Sequence, residues 1–351
     1  MSTVLDMPAK HPVARRRTPL VALLLAVLAA GSLAACSDDG DDERVTIYSG
    51  RTEDLILPIL QQFSDETGIA VDVRYGDSAD LALLISEEGD NSPADVFLSQ
   101  SPGAVGYLDQ QGRLADLPDD ILSLVDERVR ADDGHWIGFS GRKRVMVYNT
   151  EALSENEMPS SVLDLTDPEW KGRLGVAPSN GSFQDFVTAM RLERGDDATL
   201  EWLEGLVEND VTTYANNNAI VAAVGRGEID AGLVNHYYNY RFLAEDPNHD
   251  GANHEFATND IGSLLIVTAA SMVNGTDRSE QALELIRFLL AEDAQTYFSE
   301  ETFEYPLAAG VQPAEVLPPI EFANVESIDF DELGGDLEST RALIREAGLE
   351  G

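Results

Sequence analysis

The chain has 351 residues, with 23 Lys and Arg against 64 Asp and Glu, and a formal net charge of −41 at pH 7. So negative a surface repels phosphates and excludes nucleic acid as a partner. Cys36 is the only cysteine, so no disulfide can form within the chain and burial alone must stabilise the fold.

The first 35 residues read as an export leader and not as fold. Arg15, Arg16 and Arg17 form a positive n-region, "LVALLLAVLAAG" supplies an apolar h-region, and small residues follow. The apolar run is shorter than the roughly 20 residues that span a membrane. It ends in "LAAC", a small-residue site directly before Cys36. That pattern predicts a bacterial lipoprotein, in which the thiol is acylated and becomes the new amino terminus. The alternative is an ordinary signal peptide with a leftover thiol, against which stands the oddity of one Cys in an exported protein. "RRRTPL" is a poor match to a twin-arginine signal. After Cys36, "SDDGDDER" has nothing apolar to bury and reads as a solvated tether over 36–44. The leader holds four of the cations and one of the acids, leaving 19 against 63 in the mature chain. These acids are spread along the sequence, as on a solvated surface suited to salt, and not gathered in a tail.

From Val45 the pattern is strand, helix, strand. "VTIYS" is a short β-branched run. Thr52 is placed to cap a helix whose first turn carries Glu53 and Asp54 near the positive end of the dipole. Leu55, Ile59 and Phe63 recur at helical spacing, Pro58 is early enough to be tolerated, and Gly68 ends the helix. "IAVDVRY" is a strand, "SADLALLISEEG" a helix ending at Gly89, and "ADVFLS" a third strand. This order predicts a parallel, doubly wound sheet with ligands at the carboxyl ends of its strands, where Ser49–Thr52 and Ser99–Ser101 lie. The unit recurs: "RLGVA" is a strand, "PSNGS" a loop and "FQDFVTAMRLER" a helix. "TLEWLEGLV" and "AIVAAVGRG" are helices, "IDAGLVN" is a strand, and "SEQALELIRFLLAEDAQTYFS" gives one or two helices. The length suits two lobes, each with its own core.

Three places carry candidate chemistry. Tyr237 and Tyr238 stand side by side where "AGLVN" gives out. Within a strand their side chains would point to opposite faces, so only a turn or a first helical turn can bring both hydroxyls to one place. They are either half-buried aromatics or a pair of hard phenolate donors suited to ferric iron, with the metal driving the protons off. "PSNGSF" opens a helix, so its backbone N–H groups form either an anion site or a plain cap by Asn180 or Ser182. "GRKRV" places Arg142 and Arg144 either on an oxyanion or in structural ion pairs. There is no G-x-S-x-G elbow, P-loop or H-E-x-x-H, and the histidines after the leader (His135, His236, His249, His254) lack zinc-site spacing. His236 reads as a surface residue or one that supports the ligands from behind.

Taken together, "VTIYSGR", "EEGDNSPADVFLSQ", "FSGRKRVMVYNT", "PEWKGRLGVAPSNGSF", "GEIDAGLVNHYYNY" and "EYPLAAG" resemble the bacterial periplasmic ferric-iron-binding proteins of ABC iron importers, in that family's order across 45–312. The resemblance implies an α/β, two-lobed periplasmic-binding-protein (Venus flytrap) fold, each lobe a doubly wound mixed sheet with helices on both faces, joined by a two-strand hinge. It implies a first lobe of 45–141 and 266–316 and a second of 142–265 and 317–351. The cargo implied is Fe³⁺ with carbonate or phosphate as synergistic anion, delivered by a monomer to an ABC permease and its ATPase. Tyr237 and Tyr238 match the paired phenolate ligands. Asn180, Gly181 and Ser182 match the anion loop, and Asn217 and Asn235 match polar residues lining it. In the first lobe the chain departs from the pattern, with Thr52 in place of a ligand His and Gln100 in place of a ligand Glu. Glu53 is the candidate replacement beside Gln100, and an anion held by Arg51 or Arg142 is the alternative. The expected function is a lipid-anchored, non-enzymatic receptor on the outer face of the cytoplasmic membrane. A receptor of the same fold for an oxyanion or small organic solute is the rival, and a hydrolase on the same two lobes is a second.

Overall fold

The computed structural model describes residues 44–318, 320, 333 and 337–349. The expected leader, the expected acylation site at Cys36 and the tether up to residue 43 lie outside the described residues. Among the described residues no helix is long and apolar enough to cross a membrane.

Among the described residues the strands are β1 (Arg44–Ser49), β2 (Ala70–Tyr75), β3 (Val96–Ser99), β4 (Leu114–Ala115), β5 (Ile137–Asn149), β6 (Leu174–Val176), β7 (Thr212–Thr213), β8 (Ala231–Asn235), β9 (Gly251–His254), β10 (Leu265–Val273) and β11 (Tyr305–Pro306). The helices that pack on them are α1 (Glu53–Thr67), α2 (Ser78–Glu88), α3 (Pro102–Gln110), α4 (Asp119–Leu122), α5 (Gly181–Arg194), α6 (Asp196–Glu208), α7 (Asn217–Gly225), α8 (His236–Glu245), α9 (Ser279–Leu289) and α10 (Glu292–Glu300), followed by a C-terminal helix, Leu337–Glu346.

Local rules account for the elements as expected. In α1, Leu55, Ile59 and Phe63 are buried on one stripe, and the helix continues through Pro58. It stops where Gly68 takes a left-handed φ of 79°, its N–H donating to Ser64 O. Thr52 occupies the N-cap position, but its side chain makes no capping hydrogen bond. The long apolar segment near the end divides into α9 and α10, because Ala291 takes an extended conformation between them.

The principal strand order is β2-β1-β3-β10-β5-β8-β6-β7. β1 pairs parallel with β2 and β3, as the β-α-β-α-β order predicts. The sheet is nevertheless mixed, since β10 enters antiparallel between β3 and β5. Two lobes result, and β5 belongs to both. Its first part, to Lys143, pairs with β10, and from Arg144 it pairs with β8 and β9. At the crossing the Arg144 N–H donates to Leu264 O at 2.8 Å, so a second stretch of chain passes between the lobes beside it. In the second lobe β6 runs parallel to β7 and β8. Val145, Val147, Ile220, Val221, Val224 and Val234 form a separate core there. Each such side chain, fully buried, contributes about 1.5–3 kcal/mol. α7 lies close on β8 because Gly232 has no side chain: a Cβ there would stand 2.2 Å from Ile220 Cγ2. This contact fixes the direction in which β8 delivers its last residues.

Candidate functional site

The carboxyl ends of five strands open on one cavity of about 530 Å³. From the first lobe come Gly50 after β1, Asp77 and Ser78 after β2, and Gln100 and Ser101 after β3. From the second come Pro178, Ser179, Asn180, Gly181 and Ser182 after β6, and Tyr238 after β8. Arg142 lines it from β5, and Arg341 and Arg345 line it from the C-terminal helix. Gly50 keeps the first-lobe wall tight, since a Cβ there would meet Ser78 Oγ at 1.9 Å.

β8 ends at Asn235 and α8 starts at His236, so Tyr237 and Tyr238 fall in a first helical turn. Their side chains are then about 100° apart around the axis rather than on opposite faces. The rings lie together, centroids 4.1 Å apart and planes inclined at 31°. Tyr238 faces the cavity, while Tyr237 is fully buried behind it and its hydroxyl has no hydrogen-bond partner among the described residues. Burial, and then Tyr238, push the Tyr237 phenol well above its ordinary pKa, with the Arg142 charge pulling the other way. A buried phenol oxygen with no partner is costly unless something else occupies that lone pair.

His236 is neither at the surface nor charged. It is buried, its Nδ1 accepts from the Lys143 N–H at 3.1 Å, and its ring stacks on Tyr305 at 4.8 Å. Burial pushes its pKa down to about 4. It therefore supports the start of α8 from behind.

The loop before α5 acts as a cap and as cavity wall at once. Asn180 Oδ1 accepts from the Ser182 N–H at 3.2 Å and from Ser182 Oγ at 2.6 Å. Asn217 Nδ2 donates to the same oxygen at 3.4 Å. Gly181 is exposed to the cavity, with no other heavy atom within 4 Å of its would-be Cβ. Asn217 and Asn235 stand behind the wall, not on it: both are fully buried, and Asn217 Oδ1 and Asn235 Nδ2 lack partners among the described residues.

The cations separate into two kinds. Arg51 does not reach the cavity wall. Its guanidinium is committed to Glu304 on both terminal nitrogens, Nη1 donating to Oε1 at 3.0 Å, and to Thr268 Oγ1. Arg142 is buried but free in part. Nη1 donates to Gln100 Oε1 at 2.8 Å, and Nε and Nη2 have no hydrogen-bond partner among the described residues. Arg144 donates from Nη1 to Asn235 Oδ1 at 3.1 Å and lies over the Phe186 ring. Burial brings its pKa down to about 9. Of the two first-lobe candidates, Gln100 is on the wall. Glu53 is exposed at the start of α1 and is not.

Two features escape the sequence reading. Asp185, one turn into α5, is buried against the start of α3, where a Cβ on Gly103 would stand 2.8 Å from its Oδ1. Burial pushes its carboxyl up to about 7, against Ser101, Arg142 and Arg144, which pull it down. A lone acid inside "SFQDFVTAM" was its only signal. The C-terminal helix gave none, because its place on the cavity comes from packing on α5 and α6.

The chain is similar to known proteins. Residues 91–334 match the family model for the bacterial extracellular solute-binding protein. The Fe(3+)-binding periplasmic protein of Serratia marcescens is 32% identical over 94% of this chain and 97% of its own. The major ferric iron-binding protein of Neisseria meningitidis is 32% identical over 93% and 98%. Iron-bound HitA from Pseudomonas aeruginosa superposes with a TM-score of 0.82 at 33% identity, covering 87% of this chain and 99% of HitA. These relatives bind solutes and are not enzymes. The chain belongs to the bacterial extracellular solute-binding proteins.

Proposed function

We propose that this protein is an extracytoplasmic receptor for ferric iron that passes its cargo to an ABC permease and its ATPase. The observation that carries the reading is the tyrosine pair, two phenols stacked at the end of β8 with one hydroxyl buried and unpartnered. Phenolate oxygens are hard donors matched to Fe³⁺. The relatives' names, Fe(3+)-binding and ferric iron-binding, support the same cargo. Tyr237 and Tyr238 act as iron ligands, with Gln100 on the opposite wall. Carbonate or phosphate, held by Arg142 and the Gly181 N–H in the loop that Asn180 and Ser182 shape, fills the remaining positions. Arg51 and Glu53 take no part in this arrangement. The lobes divide near 141/142 and 265/266, where β5 and the chain entering β10 serve as hinge, and lipid on Cys36 tethers the monomer to the membrane.

The test is colour. Iron–phenolate complexes absorb visible light, so the ferric protein should carry a charge-transfer band. Tyr237→Phe and Tyr238→Phe keep the ring and remove the oxygen. Each should shift or bleach the band and weaken iron binding, and the double variant should bind no ferric ion. Tyr240→Phe, further along α8, is the control. Full colour in both single variants with loss in the Tyr240 control would overturn the assignment.

A further inference from the structure

Among the described residues, two that are not glycine have a left-handed backbone: Asp210 at φ 52° and Phe303 at φ 57°. Asp210 is exposed, and aspartate tolerates that conformation. Phe303 follows the end of α10, where a left-handed residue commonly stops a helix but is usually glycine. A bulky residue held in that region stores strain, and such strain gathers at functional sites.

The turn is fixed on both sides. The Glu304 N–H donates back to Phe298 O at 2.9 Å, and Tyr305 pairs antiparallel with Gly141 of β5. Three consecutive side chains leave the turn for three different groups around the site. The Phe303 ring lies near Tyr240, centroids 6.0 Å apart. Glu304 holds Arg51 and stands 3.8 Å from Arg142, which lines the cavity. The Tyr305 ring stacks on His236 at 4.8 Å, planes inclined at 28°.

These contacts converge on the first turn of α8. His236 meets Tyr237 edge-on with centroids 6.3 Å apart, and Tyr240 at 6.0 Å. Tyr237 in turn lies on Tyr238 at 4.1 Å. A row of rings therefore runs from Tyr305 through His236 and Tyr237 to Tyr238 at the cavity wall. Successive helical side chains diverge by about 100° around the axis, so the helix alone does not stack the two phenols. What packs on Tyr237 from behind decides how its ring meets that of Tyr238.

We propose that Phe303 and Tyr305 are positioning residues for ferric iron: the strained turn presses Tyr305 on His236, and His236 on Tyr237, so that both phenol oxygens meet one ion. This rests on the ferric reading above and names the residues, set back from the cavity, that fix its geometry.

Ferric affinity and the visible band, with bicarbonate as anion, are read on the full-length protein beside urea unfolding of the metal-free form. Tyr305→Leu keeps the position apolar and removes the stack. It should lower ferric affinity about tenfold or more and shift the band. Tyr305→Phe keeps the ring and should retain both wild-type values. Glycine adopts a left-handed φ freely, so Phe303→Gly should fold, yet lower affinity severalfold and shift the band. A wild-type band and affinity in Tyr305→Leu, or in Phe303→Gly where the leucine variant does not fold, would reduce the row to core packing and overturn the proposal. So would equal losses in Tyr305→Leu and Tyr305→Phe, which would place the effect in the hydroxyl and not in the stack. No band in wild type fails the ferric reading itself, and this proposal with it.

Discussion

Glu304→Gln keeps the shape of a side chain that is completely buried and removes its charge. In the wild type, Arg51 and Glu304 both have 0% side-chain exposure. Thr302 Oγ1 donates to Glu304 Oε2 at 2.9 Å, and Arg142 Nε lies 3.8 Å from Oε1. Burial pushes the Glu304 carboxyl up, but the charge and hydrogen bonds of Arg51, then the charge of Arg142, hold it below the ordinary carboxylate range. The variant leaves Arg51 ionised among the Phe139 and Phe298 rings, 5.8 and 5.5 Å away. Removing one member of a buried pair costs about 3–5 kcal/mol. The Gln oxygen still accepts one N–H, so the expected loss is the lower figure, about 3 kcal/mol, read from urea unfolding at neutral pH. The folded pKa is depressed, so this contribution is present above the unfolded value and lost as pH falls through the folded one. The gap between wild type and variant should therefore close in acid. Arg51→Met with Glu304→Leu should recover most of the loss, since a well-packed apolar pair replaces a buried ion pair at little cost. A Glu304→Gln loss under about 1 kcal/mol, or a gap that widens in acid, would refute the reasoning.

Asp185→Asn tests the opposite sign. The folded carboxyl titrates at about 7 against an ordinary 3.8, so wild-type stability declines through that window as pH rises, and the variant should lack this share of the decline in a pH series of urea unfolding. Cys36→Ser should release the protein from the membrane fraction, and continued partition with uptake of labelled lipid would sink the anchor. Screening of the acidic surface should raise the melting temperature with KCl, and a flat response to molar salt would count against a solvated shell. Acid should release ferric iron as protons compete for the phenolates, followed by loss of the visible band.

The turn that brings the two tyrosines together was legible because its cause is local: a strand ends at Asn235, and the residues after it enter a first helical turn. The Asn180 loop was legible as two alternatives, and its geometry is compatible with both, since capping uses the side chain and leaves the Gly181 N–H to the cavity side. What escaped is long-range. Arg51 and Arg142 look equally eligible in sequence, and only Glu304, 253 residues from Arg51, separates them by taking one guanidinium out of the cavity. The antiparallel course of β10 is likewise a matter of topology, and no residue in "LIVTAASMV" encodes it.

"GRKR" shows where more was available. Read as strand, the period of two puts Arg142 and Arg144 on one face and Lys143 on the other. The structure has that division. Lys143 Nζ pairs with Glu255, while the two arginines turn inward, to Gln100 and to Asn235. The strand carries them to the crossing between the lobes, where β5 leaves β10 for β8. Arg142 therefore lines the cavity, while Arg144 is held to Asn235 behind its wall. Gln100, from the end of β3, is the first-lobe group that accepts from Arg142. Gln100→Ala should consequently weaken iron binding without bleaching the phenolate band, because it removes a support of Arg142 and no phenol oxygen. A variant that lost the band outright would place Gln100 among the groups that set the iron's electronic environment.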